Sequence, residues 1–300
     1  MLNIKIISIL LCLLFLSCSN DADYGFNPHP TLFHNSLNFK GSKETLDIIT
    51  WNIENFPNTN TSNQYVLEII DSLNVDIIAL QEIVGVNEFE NLVNSLSSTN
   101  WVGFRSGVDF GNYEDNYQEL AYLINTETIN ILSDPPYIIL ETYEYEFAYR
   151  EPYVLEFMFD QELMILINVH YKCCDGSEER RLASSQLLYD HINNNYNNSK
   201  VLVVGDFNDL LIDNFNVVAP FLNDNDNYLF ADYSIAKGNF DYWSYPSWPS
   251  HLDHILITDE LFNSVVVTQT ILLGHSEYTN AGVYENNVSD HRPVGIKLNP

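Results

Sequence analysis

Five short apolar runs in this 300-residue chain each end on carboxylate, amide or imidazole residues. They read DIITWNIEN (47–55), DIIALQE (76–82), ILINVH (165–170), VLVVGDFND (201–209) and NNVSDHRPV (286–294). A sixth, SHLDHILIT (250–258), carries its polar cluster at the start of the run. Short runs rich in Leu and β-branched residues are buried strands. Burying Asn, Asp, Glu or His there is costly unless the strand end opens onto a site. The chain must therefore adopt a fold that gathers six distant strand ends into one polar pocket, and that residue set points to hydrolytic chemistry.

The first residues stand apart from that fold. Met1–Asn20 reads MLNIKIISILLCLLFLSCSN, with Lys5, an apolar run from Ile6 to Leu16, then Ser17-Cys18. The run is too short to span a bilayer, which takes ~20 residues, and has the length of a signal-peptide core. A small residue before Cys18, with Leu14 and Leu16 upstream, resembles the bacterial lipoprotein cleavage box; Phe15 departs from it, since an aliphatic residue is usual there. The expectation is a signal peptide over 1–18 and a mature chain lipid-anchored at Cys18, with ordinary secretion as the alternative. That implies export, to the outer membrane or cell surface if the anchor forms, with a membrane contact through the lipid and no obligate protein partner in evidence. Residues 19–44 are polar, hold Pro28 and Pro30, and read as a flexible tether. Residues 45–300 suit one large domain.

With 12 Lys+Arg against 41 Asp+Glu, the formal net charge is −29. Sequence-independent nucleic-acid binding needs a basic patch, so this balance argues against tight non-specific binding. It leaves catalysis on a phosphate open, because a cleft needs only a few local cations. Cys12 and Cys18 belong to the leader, which leaves the adjacent Cys173 and Cys174. In an oxidising compartment these would close a vicinal disulfide; two free thiols are the alternative. The absence of any C-x-x-C spacing argues against structural zinc.

Periodicity places helices over 63–73, 87–96 and 178–193, and strands over 47–53, 76–80, 104–106, 119–124, 137–142, 153–159, 163–169, 201–205, 254–258, 264–272 and 293–298. This alternation fits an α/β fold, a four-layer sandwich of two packed mixed β-sheets flanked by helices.

Side chains two apart on a strand share a face. Asn52 with Glu54, and Asp206 with Asn208, therefore aim in pairs into one pocket, and Glu82 closes a third strand. This all-oxygen set suits a hard divalent cation, Mg²⁺ foremost, with Mn²⁺ or Ca²⁺ as alternatives. A single Asp at a strand end is more often a turn or helix cap; five such ends together are not explained by capping. His251 and His254 flank Asp253 and read as loop or strand-edge residues, with a substrate contact by one of them as the alternative. Arg180 and Arg181 could reach a phosphate, but beside Glu178 and Glu179 they read as a solvated helix face. Lys172 shares a face with His170 and is placed for a phosphate. The aromatic stretch NFDYWSYPSWPS (239–250) suits packing over a sheet edge, base stacking or membrane insertion.

In this order, TWNIEN, ALQE, NVHYK, GDFND, LDHILI and SDHRPV resemble the motifs of the endonuclease/exonuclease/phosphatase superfamily, the deoxyribonuclease I-like fold, from Thr50 to Val294. YREPYVLEF (149–157) resembles a segment whose Arg contacts a backbone phosphate, here Arg150. YQELAYLI (117–124) resembles the strand whose Glu orients the first catalytic His, here Glu119. The resemblance implies two His–carboxylate dyads, His170 with Glu119 and His291 with Asp253, in which each carboxylate fixes the tautomer and raises basicity. Abasic-site endonucleases carry Tyr where this chain has His170, which favours the nuclease-I or phospholipase-like branches.

The implied mechanism has Glu82 and Asn52 holding a metal, with Asp290 supporting a second or shared position. Asp206 and Asn208 would orient nucleophile and phosphate, and Arg150 and Lys172 would bind the phosphate. His291 would act as general base, while His170 stabilises the pentacovalent oxygens or protonates the leaving group. The implied activity is that of an exported, metal-dependent DNase I-like endonuclease with DNA as its partner. The alternative is a sphingomyelinase-like or other phosphoesterase acting on a lipid or sugar phosphate. A non-catalytic lipoprotein of this fold would have lost a ligand, and none is lost.

Overall fold

A computed structural model of the chain describes residues 37–107, 117–273 and 281–300. The expected signal peptide, Cys18 and most of the tether lie outside the described residues. In chain order the elements are β1 (Leu46–Phe56), α1 (Ser62–Leu73), β2 (Ile77–Ile83), α2 (Val86–Leu96), β3 (Trp101–Arg105) and β4 (Glu119–Asn125). There follow β5 (Asn130–Ile131), β6 (Tyr137–Ile138), β7 (Tyr153–Phe159), β8 (Glu162–His170), α3 (Glu178–Asn195) and β9 (Lys200–Asp206). The last third holds α4 (Ala219–Leu222), β10 (Tyr228–Phe230), α5 (Tyr233–Ala236), β11 (Asp253–Thr258), β12 (Val265–Thr270), α6 (Ala281–Asn287) and β13 (Val294–Leu298). No helix among the described residues is long and apolar enough to cross a membrane.

The strands form two mixed sheets, ordered β12-β13-β1-β2-β4-β3 and β10-β11-β9-β8-β7-β5, with β6 beside β7. Each is built on one parallel pair joined by a helical crossover, β1–α1–β2 and β8–α3–β9. Ile48, Ile77, Ala79 and Tyr122 of the first sheet share a core with Leu155, Leu166, Leu202, Val204 and Ile255 of the second. On the outer faces, Ile49, Trp51 and Leu80 pack with Val66, Ile69 and Leu73 of α1, and Ile165, Ile167 and Val203 with Leu188 and Ile192 of α3. The result is the four-layer sandwich that the alternation predicted.

Strand periodicity then places the polar ends. Ile48, Thr50 and Asn52 follow one another on the inner face of β1, and Leu166, Asn168 and His170 do so on β8. Leu202, Val204 and Asp206 do the same on β9. The parallel register sets His170 opposite Asp206, and the antiparallel register sets Asp253 opposite Asp206. Both crossovers bring the carboxyl ends of their strands to the same edge of the sandwich, the position where α/β sheets bind ligands.

One close approach holds this alignment. Gly205 has φ +152, and a Cβ there would lie 1.9 Å from the Val169 carbonyl oxygen. Gly205→Ala is expected to push β9 off β8 beside the His170/Asp206 pair. It should cost about 1–3 kcal/mol of stability in urea unfolding, together with activity.

Residues 37–44, expected within the tether, are packed instead. Phe39 is 2% exposed and lies against Gly295, where a Cβ would meet its ring at 2.9 Å. Asn38 donates to the Thr270 carbonyl at 2.9 Å and accepts from the Leu272 amide at 2.9 Å. A polar, aperiodic stretch hides this docking because one aromatic ring and a few backbone bonds supply it. The strand expected at 137–142 is also shorter, since Leu140 takes a left-handed φ of 62 and turns the chain out of the sheet.

Candidate active site

The converging ends line a cleft of about 880 Å³ whose wall includes Glu54, Glu82, Arg150, His170, Lys172, Asp206, Asn208, Asp290 and His291. Asp206 sits at its floor, 1% exposed, between two imidazoles. Its Oδ2 lies 3.5 Å from His170 Nε2 and 3.9 Å from His291 Nε2. His291 Nδ1 is 2.8 Å from Asp253 Oδ2, so the second expected dyad is formed. The His291 ring also lies 4.8 Å from that of Tyr245, at 44°. Asn208 donates its backbone N–H to Asp206 Oδ1 at 2.8 Å and its side-chain amide to the Tyr171 carbonyl at 3.1 Å.

Electrostatics divides the two histidines. Burial, together with the charges of Arg150, His291 and Lys172, holds His170 well below its usual pKa, so it is neutral. Burial alone would also lower His291, but Asp253, through charge and hydrogen bond, and then Asp206 and Asp290 raise it to about 10. Burial, opposed by His291 and reinforced by Asp253, pushes Asp206 up to about 7. Glu54 likewise rises to about 7, through burial and the nearby Asp290 and Glu82 carboxylates.

Glu82, Glu54 and Asp290 form the acidic side of the cleft. Alternation alone would point Glu82 out with Leu80, but its left-handed φ of 65 turns it inward. There it accepts from the Asn55 amide at 2.9 Å and from Asn52 Nδ2 at 3.1 Å. Glu54 (φ 42), Asn55 (φ 47) and Asn208 (φ 52) are also left-handed, and backbone of this kind gathers at sites where geometry is imposed. Asn52 departs from its expected role. Its amide nitrogen also donates to Asp206 Oδ2 at 3.0 Å, while its oxygen accepts from the Glu54 amide at 3.0 Å. Those partners fix the orientation of the amide, so Asn52 presents a donor to two carboxylates rather than an oxygen to a metal. Glu82, Glu54 and Asp290 offer only oxygen donors, the type a hard divalent cation takes. Among the described residues, Asp206, Asp253 and His291 have ligand atoms within 4.8 Å of one another at this site.

The first expected dyad is not made. His170 Nδ1 is buried with no hydrogen-bond partner among the described residues. Glu119 accepts instead from Ser106 Oγ at 2.7 Å, beside Gly107, where a Cβ would lie 2.8 Å from its carboxyl carbon. Arg150 reaches the cleft and is steadied by Gln118 Oε1 at 2.6 Å and the Tyr171 carbonyl at 3.3 Å. Cys173 and Cys174 are free cysteines on the rim of the cleft.

Arg181 is not a solvated residue. It is 4% exposed and binds Asp209 Oδ2 through Nε (2.9 Å) and a terminal nitrogen (2.8 Å). Its other terminal nitrogen holds the carbonyls of Lys172 and Cys174, each at 3.0 Å. One guanidinium thereby joins the GDFND turn to the chain after His170. His251 and His254 are not edge residues either. Both are fully buried on Asp232 Oδ2, at 3.1 and 2.6 Å. The second nitrogen of His254 faces the Asp209 carbonyl at 2.9 Å. With an acceptor at each nitrogen, His254 carries both protons and is a buried cation. His251 accepts from the Ser244 amide at 3.2 Å and is neutral.

Burial alone would raise Asp232, but the two histidines hold its carboxyl well below the usual range. Burial would lower His254, and Asp232 outweighs it and raises it. The stability this pair contributes is present above the unfolded Asp pKa, ~3.9, and is lost as pH falls through the depressed folded value. Its His254 share is complete below the unfolded His pKa, ~6.5, and is lost as pH rises through the raised folded value. Asp232→Asn is expected to cost about 3–5 kcal/mol by leaving the imidazolium unpaired, measured by denaturant unfolding at neutral pH.

Sequence reasoning passed over three supporting groups. Gln81 donates to Asn168 Oδ1 at 2.8 Å and to Thr50 at 3.1 Å. Asn168 in turn donates to the carbonyls of Leu80 (2.9 Å) and Ala121 (3.2 Å) in the other sheet. This polar layer ties the sheets together one step below the site. Ser289 donates to the Asn52 carbonyl at 2.7 Å and accepts from the His291 amide at 2.9 Å, holding the SDH turn to β1. Gln81, Asn168 and Ser289 stand inside the motifs ALQE, NVHYK and SDHRPV, and that position was the signal for them.

A family model described as the Endonuclease/Exonuclease/phosphatase family matches residues 49–291. Among solved structures, D. rerio TDP2 complexed with single strand DNA product superposes with a TM-score of 0.66 at 14% identity, covering 85% of this chain and 99% of that one. The human Nocturnin catalytic domain with bound sulfate anion gives 0.65 at 16%, covering 90% and 99%. An endonuclease/exonuclease/phosphatase from Bacteroides vulgatus gives 0.59 at 15%, covering 85% and 99%. At these identities the likeness establishes the fold. No curated protein matches the sequence.

Proposed function

The chain belongs to the endonuclease/exonuclease/phosphatase family of metal-dependent phosphoesterases, and from that premise we propose that it is an exported endonuclease hydrolysing phosphodiester bonds in DNA. One observation carries the reading: Asp206 lies between a neutral and a cationic imidazole, facing Arg150 across the same cleft. Phosphodiester hydrolysis needs an in-line nucleophile and neutralisation of charge on the equatorial oxygens. Asp206, raised to about 7, is the base that takes the proton of the attacking water. His291, held as an imidazolium by Asp253, cannot accept that proton, and it donates to the phosphate oxygens instead.

This exchanges the expected roles of the two groups. Arg150 adds a second positive group on the phosphate, and Asn208 holds Asp206 in orientation. Neutral His170 bounds the opposite side, where its Nε2 reaches Asp206 and Glu82. A divalent ion held by Glu82, Glu54 and Asp290 would polarise the phosphate and stabilise its developing charge.

The single strand DNA product carried by the TDP2 structure supports a nucleic-acid substrate. Export and the lipid anchor at Cys18 rest on the leader sequence, and the mass of the mature N-terminus tests them: cleavage elsewhere, or an unmodified Cys18, refutes the anchor. A second reading, a lipid phosphodiesterase, is favoured by Trp248, which lines the cleft at 78% exposure. Plasmid DNA with the purified protein and Mg²⁺ should be nicked, and EDTA should abolish nicking. Intact plasmid alongside release of phosphocholine from sphingomyelin would overturn the nuclease reading in favour of the lipid one.

A further inference from the structure

A second cavity of about 320 Å³ adjoins the cleft and shares Asn55, Gln118, Arg150 and Lys172 with it. Its remaining wall is Tyr117, Ala148, Tyr149 and Arg180. Four of the chain's 12 Lys and Arg, namely Arg150, Lys172, Arg180 and Arg181, line these two spaces in a protein of net charge −29. Among the described residues, three Lys or Arg side chains have a carboxylate within 4.0 Å: Arg181 has Asp209, Lys200 has Glu162 and Lys297 has Asp47.

Arg150, Lys172 and Arg180 have no carboxylate within that distance among the described residues. Arg150 spends its bonds on two neutral oxygens, and Lys172 has only Cys173 Sγ at 3.5 Å. The Arg180 guanidinium makes no hydrogen bond to the described residues; it rests 4.1 Å over the ring of Tyr145. Burial lowers the pKa of Arg150 and the nearby Arg180 lowers it further, while Glu82 and Asp206 across the cleft favour its charge. Unpaired like charges held together in a concave space are stabilised by an anion placed among them.

The backbone supports the same conclusion. Ala148 (φ 57) and Tyr149 (φ 62) are both left-handed immediately before Arg150. That conformation is costly for residues with a Cβ and gathers at ligand sites. It leaves Tyr149 54% exposed on the cavity wall, where a ring can stack on a planar group.

We propose that the cavity bounded by Tyr149, Arg150, Lys172 and Arg180 is a second anion subsite, which takes a phosphate one linkage from the scissile one and stacks its nucleoside on Tyr149. The proposal rests on the phosphodiesterase reading and narrows it. The preferred substrate is a nucleotide chain with neighbouring phosphates, rather than a molecule bearing a single phosphodiester.

The full chain is assayed with Mg²⁺ on the dithymidine monophosphate TpT, on pTpT and on TpTp, with bis(p-nitrophenyl) phosphate as the one-phosphate reference. One of the two flanking phosphates is expected to lower KM about tenfold relative to TpT, the equivalent of ~1.4 kcal/mol. Arg180→Gln should abolish most of that ratio. If the variant does not fold, raising salt from about 0.02 M to about 0.5 M should shrink the wild-type ratio, because an exposed ionic contact is screened. Equal KM values for all three dinucleotides, or a ratio unmoved by Arg180→Gln, would overturn the subsite. Failure to hydrolyse any of the four compounds would instead overturn the phosphodiesterase reading.

Discussion

His291→Ala is expected to lower kcat by about 10²–10⁴-fold, the range for losing one positioned proton-transfer or charge-stabilising group. Stability should fall as well, by about 3–5 kcal/mol, because the buried Asp253 carboxylate loses its partner, so kcat is read on protein whose urea transition shows it to be folded. The loss falls on kcat because the imidazolium is aimed at charge that develops in the transition state. Asp253→Asn separates the roles of charge and shape. The ring keeps a hydrogen-bond acceptor, but the carboxylate that raises His291 to about 10 is gone. The alkaline limb of the rate profile should then move down from about 10 toward neutrality. An unchanged limb would mean that His291 does not act as a cation.

Asp206→Asn is expected to be at least as damaging, since it removes the base itself and one of the charges that hold His291 protonated. Wild-type kcat/KM should fall as pH drops below about 7, where the raised carboxyl takes up its proton. The sign follows from which form reacts: the carboxylate accepts the proton of water and the acid cannot. A bound cation moves this limb to lower pH by favouring the carboxylate. The variant should show no such limb in whatever activity remains, as followed by initial rates across pH at substrate well below KM. A variant retaining the acid limb would place the base elsewhere, with His170 the next group in reach.

Much of this centre was legible in the chain because strand periodicity is simple. Residues 48, 50 and 52, or 202, 204 and 206, share a face whatever surrounds them, so the last polar member of each run had to end beside the others. The parts that were not legible depend on departures from that rule. Glu82 falls on the outer face by counting and reaches the site only through a left-handed residue. Asn52 has the right position, but which end of its amide faces inward is decided by the Glu54 amide and two carboxylates, none of them visible in spacing.

Two further features were hidden by distance along the chain. Asp232 precedes His254 by 22 residues and meets it only because α5 begins beside β11. Arg181 reads as a surface residue from its neighbours Glu178 and Glu179, yet it turns inward to Asp209. The dyad of His170 with Glu119, implied by resemblance alone, is replaced by a bond from Ser106 to the same carboxylate.

The polar strand ends of the two sheets are expected to act as one metal-dependent centre for phosphodiester hydrolysis. The most direct measurement is release of p-nitrophenol from bis(p-nitrophenyl) phosphate by the full chain, first in EDTA and then titrated with Mg²⁺. The expected result is no release in EDTA, a saturable rise with metal, and no comparable rise for Asp206→Asn. Release that is the same in EDTA as in Mg²⁺, or a folded protein that stays inactive at every metal concentration, would contradict it.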